Sequence, residues 1–172
     1  MTESGPRLSG FEPSIPSVGT TSHESKPEQL DEHQLRTLRV LCDLIIPPDA
    51  DSPGAVEAGA PEFISLLASE KASIGLCISG GLRWLDSIYS MRHGRVFANC
   101  SEAEQHEVLD ILAHREKAAR YPALQPGFPF FALIRRLTLD GFFTSAIGYQ
   151  YLRYMGNDYV SSFEGCPPVP EP

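Results

Sequence analysis

An all-α single domain of five or six packed helices, carrying a disordered N-terminal arm, is the fold class this sequence predicts. Apolar residues recur at three- and four-residue steps over most of the chain, and capping boxes or Pro and Gly breaks bracket those stretches. No alternating run of β-branched residues of the kind a strand needs accompanies them. The length of 172 residues fits one domain.

Residues 1–28 are rich in Ser, Pro, Gly and Thr with few apolar residues, too little surface to offset the entropy of ordering, so they read as the arm. The helical domain is expected over residues 29–165. Leu35, Leu38, Cys42 and Ile45 lie on one face of its first helix, with Asp31 and Gln34 spaced as a capping box and Pro47-Pro48 as the stop. A loop follows over residues 49–60, and Pro61 suits the first turn of a second helix running to Leu67.

The third helix is expected over residues 74–93, with Leu82, Leu85, Ile88 and Tyr89 inward, interrupted by Gly80-Gly81 and stopped by Gly94. Ser101 and Glu104 form a second capping box, opening a helix with Val108, Leu109, Ile111 and Leu112 as its stripe, expected to run to about Arg120. A Pro- and Gly-rich link over 121–129 leads into a strongly aromatic stretch, and residues 166–172 form a Pro-rich tail.

A net charge of −8, from 14 Lys and Arg against 22 Asp and Glu, provides no basic field for nucleic acid. No apolar run approaches the roughly 20 residues of a membrane span, so direct membrane insertion is not expected. Residues 1–34 show neither a basic-then-apolar leader nor a twin arginine, which makes the cytoplasm the expected location, with the periplasm or a membrane reached only alongside a partner. The four cysteines contain no Cys-x-x-Cys pair, and Cys42 and Cys77 read as buried thiols acting as small hydrophobes.

Chemistry-bearing patterns are few. Asp49, Asp51 and Glu57 lack the ligand order of a calcium loop and read as solvated turn residues. Gly80-Gly81 lacks the strand and glycine spacing of a phosphate loop. Ser145 lacks the Gly-x-Ser-x-Gly frame of a nucleophile elbow, and it and Thr144 read as helix-terminating residues bonded to the backbone.

Glu102, His106, Asp110 and His114 follow one another at i, i+4 and form the one stripe that could hold a metal, yet no Glu-x-x-His supplies ligands from a second helix. A solvated polar face is the competing reading.

Ten of the sixteen aromatic residues fall between Phe128 and Phe163. At about 150 to 250 Å² each they represent on the order of 2,000 Å², more than one or two helices return to their own core. Phe131, Ile134, Leu137 and Phe142 stand at core spacing. Phe142 and Phe143 also open the segment assigned to partner contact, which includes Tyr149, Tyr151, Tyr154 and Cys166. Tyrosine combines a large ring with a hydroxyl suited to a half-wet boundary. Core filling remains the alternative for these rings.

Three blocks give the chain a resemblance to the small subunit of gluconate 2-dehydrogenase, the subunit 3 family. They are LRVLCDLIIPPDADSPGAVEAGAPEFI (38–64), GGLRWLDSIYSMRHGRVFANCSEAEQHEVLDIL (80–112) and FFALIRRLTLDGFFTSAIGYQYLRYMGN (130–157), the last followed by Phe163-Glu164-Gly165-Cys166-Pro167. The resemblance implies a non-catalytic accessory subunit beside a large FAD-dependent dehydrogenase subunit of the glucose-methanol-choline type, which oxidises a sugar, sugar acid or polyol. A cytochrome subunit is a further candidate partner. FAD and any iron-sulfur or haem group would belong to other chains, with no cofactor in this one, whose part would be assembly, stability or export. The absent twin arginine departs from many relatives and puts the export part in doubt. Cys166, in the Pro-rich tail, reads as an inert free thiol of a reducing compartment; because its Gly-Cys-Pro element belongs to the third block of the resemblance, the alternative is contact with the large subunit. The alternative function is an independent helical metal-binding protein or enzyme using Glu102, His106, Asp110 and His114.

Overall fold

A computed structural model describes residues 29–50, 52–154, 156–157, 162 and 165 of the chain, so both the N-terminal arm and the tail that includes Cys166 lie outside the described residues. The described residues form an all-α fold with no strand. Five helices of eleven residues or more build it: α1 (Glu32–Ile45), α3 (Ala60–Glu70), α4 (Ala72–His93), α5 (Glu102–Leu112) and α6 (Gly127–Phe143). Two short ones, α2 (Gly54–Glu57) and α7 (Ala146–Tyr151), complete the order. No helix among the described residues is long and apolar enough to cross a membrane.

Both capping boxes form. The Asp31 side chain accepts from the Gln34 amide at 2.8 Å while the Gln34 side chain accepts from the Asp31 amide at 3.1 Å, and Ser101 and Glu104 are reciprocally bonded in the same way. Pro47-Pro48 ends α1 as expected. The loop beyond it contains the single turn of α2, because Ala55 donates to the Ile46 carbonyl at 3.0 Å and Gly54, at φ +86°, reverses the chain where a side chain would strike Pro48. Asp49 does turn chemistry here, accepting the Ser52 amide at 2.8 Å. Asp51 lies outside the described residues.

α6 is the central helix and packs against each of the other six. Phe128, Phe130, Phe131, Ile134, Leu137, Thr138 and Phe142 spread burial around most of its circumference, leaving Ala132, Arg135, Arg136, Leu139 and Asp140 outward. Thr138 donates to the Ile134 carbonyl at 2.9 Å and sits 3.5 Å from the Cys42 thiol of α1. Burial pushes that thiol up to about 11, so it stays protonated at neutral pH. Cys77, by contrast, is exposed, correcting its assignment to the core. It stands one residue before the inward Ile78, about 100° round the helix from the buried face.

Two further expectations are corrected. α4 runs unbroken through Gly80-Gly81, because Gly81 supplies the space into which the Phe130 ring fits. A Cβ there would lie 1.9 Å from the Phe130 Cδ2 atom. The helix opened by Ser101 ends at Leu112 rather than near Arg120, and a 3-10 segment follows over Arg115–Arg120. Residues 113–120 present charged groups and alanines with no large apolar residue, so they lack the tertiary burial that sustains a helix.

Asp86 joins the middle of the fold. One carboxylate oxygen accepts the Phe97 amide at 3.0 Å and the other lies 2.7 Å from His33 Nε2 of α1. Phe97 is buried edge-on to Tyr89 at 4.9 Å, the Tyr89 hydroxyl donates to the Gln105 carbonyl, and the Gln105 amide donates to the Phe97 carbonyl at 3.1 Å. Gly94, at φ +69°, takes the left-handed position after α4.

The glycine pair in α4 gives opposed mutational expectations. Gly80 is exposed with nothing within 4 Å of a built Cβ, so Gly80→Ala should stabilise by up to about 1 kcal/mol through helix propensity. Gly81→Ala should destabilise, because displacing Phe130 costs about 1 to 3 kcal/mol and outweighs the same propensity gain. Thermal and urea unfolding of both variants checks the signs; equal stabilisation would mean that the Phe130 seat is loose.

Candidate partner-binding site

The site grows from the way α6 ends. The Thr144 hydroxyl donates to the Asp140 carbonyl at 2.7 Å, and the Ser145 hydroxyl donates to the Phe142 carbonyl at 2.7 Å while accepting the Gly148 amide at 3.0 Å. Ser145 is thereby the N-cap of α7, which turns back against the end of α6. The approach is close: a Cβ on Gly148 would fall 2.1 Å from the Phe142 carbonyl oxygen.

α7 closes in a Schellman motif. The Tyr154 amide donates to the Tyr149 carbonyl at 2.9 Å and the Arg153 amide to the Gln150 carbonyl at 3.0 Å. Arg153 occupies the left-handed position at φ +54°, a place glycine usually takes. The side-chain contact that accompanies this motif is supplied by the Tyr149 and Tyr154 rings, 5.5 Å apart. The Tyr154 hydroxyl donates to Asn157 Oδ1 at 2.6 Å.

The structure gathers five of the six residues assigned to partner contact. Phe142 meets Phe143 edge-on at 5.1 Å and Tyr151 at 5.9 Å, while Tyr149 and Tyr154 form the second pair. Their exposures divide the labour. Phe142 is 2% exposed and forms the floor, whereas Tyr149 (45%), Tyr151 (49%) and Tyr154 (47%) stand half in solvent. Cys166 lies outside the described residues.

Leu152, 54% exposed, joins the tyrosines and was not singled out from the sequence. Nor were Ile147, Gln150 and Arg153, which with Tyr151 and Pro53 line an open cleft of about 400 Å³. Ile147 and Tyr151 are spaced i, i+4, a signal that was legible. Pro53 arrives from the distant α1–α2 loop and leaves no local signal.

The acidic and histidine stripe on α5 is only partly assembled. His106 Nδ1 lies 3.5 Å from the exposed Asp110 carboxylate, but His114 falls beyond the end of the helix and faces Glu116 at 3.0 Å. The predicted four-residue line is therefore broken at its last member. Among the described residues no group of three or more His, Cys, Asp or Glu side chains converges as a metal-binding set.

The family model described as gluconate 2-dehydrogenase subunit 3 matches residues 32–165, most of the chain and nearly all of its described part. No curated protein and no solved structure matches.

Two substitutions separate the parts of the α7 scaffold. Ser145→Ala should destabilise by about 1 kcal/mol and speed amide exchange from residue 148 onward, since the cap is lost. Arg153→Gly should be neutral or stabilising by up to about 1 kcal/mol, because glycine relieves the left-handed strain but adds freedom to the unfolded chain. A clear loss of stability in Arg153→Gly would make the arginine side chain part of the fold.

Proposed function

The chain belongs to the gluconate 2-dehydrogenase subunit 3 family, and from that premise and the geometry of α7 we infer that it is a non-catalytic accessory subunit of a dehydrogenase complex. Its partner is a large FAD-dependent subunit of the glucose-methanol-choline type acting on a sugar, sugar acid or polyol. Its role is to support the assembly and stability of that subunit. The carrying observation is the rigidly supported group of half-exposed rings, Tyr149, Tyr151 and Tyr154, with Leu152 beside them.

Large amphipathic rings held on a fixed backbone bring contact area with little rotamer entropy to lose, which is why tyrosine is enriched at interface centres. Half exposure leaves on the order of 100 Å² per residue here, so the four supply roughly 400 Å², about half of one side of a standard interface near 800 Å². They suit the centre of a contact whose rim lies elsewhere on the molecule. Binding the folded partner and not its unfolded chain would then stabilise the partner by mass action, by about 2.7 kcal/mol when the free subunit stands at a hundred times the dissociation constant.

Replacing Tyr151 and Tyr154 together by Ala should weaken association with the dehydrogenase subunit by about 2 to 4 kcal/mol and leave helical content unchanged. Calorimetry beside circular dichroism checks this; parallel loss of binding and helix would return the rings to the core. Expression of the dehydrogenase subunit without this chain should lower its soluble, flavin-loaded yield, and an unchanged yield with an unchanged thermal midpoint would remove the assembly role.

A further inference from the structure

We propose that the trough between α5 and α6 is a second docking surface, built to take an acidic, apolar-anchored segment of a partner polypeptide. Its larger part is a cleft of about 430 Å³ with Leu112, Phe128 and Phe131 in its lining and Arg115 and Arg135 among the residues around it. A second hollow of about 200 Å³ shares Ala113, Phe131 and Arg135 with the first and ends at His106 and Asp110. The two hollows adjoin at these shared residues, the second reaching Leu44 and Ile45 of α1, and both are distinct from the cleft on α7.

The occupant follows from charge. From Arg115 to Arg153 the chain has six Lys and Arg against two acidic residues, Glu116 and Asp140, a net of +4 inside a chain of −8. Neither Arg115 nor Arg135 has a carboxylate partner among the described residues, whereas Arg39, Arg92 and Arg95 are each paired with a glutamate. An acidic segment approaching elsewhere would meet the negative surface of the rest of the molecule. Here it meets two unpaired guanidinium groups able to bind carboxylates in bidentate fashion, beside the exposed Ala113, Pro129 and Ala132, which an apolar side chain can cover.

The proposal rests on the accessory-subunit reading only in giving the segment to a partner chain, and the test needs no dehydrogenase. The probe is a fluorescein-labelled peptide of about twelve residues alternating Glu or Asp with Leu or Phe, titrated by fluorescence anisotropy against the full chain. Two controls replace its acids by Lys or its apolar residues by Ser. Saturable binding is expected, at least about tenfold tighter than either control and weakened as salt rises from roughly 50 to 500 mM.

The variant Arg115→Glu/Arg135→Glu, both positions exposed, should lose the acidic peptide by about tenfold or more and gain the Lys peptide. Ala132→Glu, exposed on α6 in the same lining, should lose binding as well. Tyr151→Ala/Tyr154→Ala should bind the peptide unchanged while losing the dehydrogenase subunit, so the two readings fail separately. Equal binding of the acidic and Lys peptides, or binding that survives the double charge reversal, would overturn the proposal.

Discussion

The contact of α6 with α4 is the constraint on which the rest of the molecule depends. Phe130 seats against the bare backbone of Gly81, and the Trp84 ring occupies the matching space over Gly127, where a Cβ would stand 2.1 Å away. Each helix thus contributes one aromatic ring and one glycine, and the two axes close until the rings fill the gaps. Close packing leaves little tolerance for an added methyl at either glycine. With α6 fixed in this way, α1, α3 and α5 are laid around it, and the position of α7 follows from where α6 ends.

Much of this was legible locally. Asp31 with Gln34, Ser101 with Glu104, the Pro47-Pro48 stop and the Gly94 terminator each act within a few residues, and each forms as its spacing indicates. What was hidden depends on distant partners. Gly80 and Gly81 are indistinguishable as neighbours in a sequence, yet one faces solvent and the other faces Phe130, and only the register of α4 against α6 separates them. Cys77 was misplaced because an apolar neighbourhood in the chain is not an apolar neighbourhood in space. The early end of α5 has a sequence cause, the lack of large apolar residues after Leu112, which helix-forming composition over 113–120 masked.

Of the candidate site, the residue types were legible and the construction was not. Tyrosines dense enough to exceed their own core signal a surface, but that they are held by a Schellman closure with Arg153 in glycine's place could not be read from spacing. The resemblance blocks gain a physical meaning as well. Asp86, Tyr89, Phe97 and Gln105 in the second block bond or pack with one another to hold α4, α5 and the intervening turn in place. In that block the motif describes how the chain folds, so family membership identifies a scaffold, and any statement about recognition has to come from surfaces such as α7.

The six-residue α7 is too short to persist as a helix by itself, and its Ser145 cap, Gly148 contact and Phe142 floor all belong to, or press upon, the end of α6. The proposed recognition surface and the hydrophobic core are therefore one mechanical unit. If α7 has the role proposed above, a genetic screen for alleles that fail to assemble would recover two classes in one phenotype: surface tyrosines that would touch the partner, and buried residues of α6. Sorting them would require a measure of each protein's own stability, because the location of a lesion in the sequence would not tell a lost contact from a tilted platform.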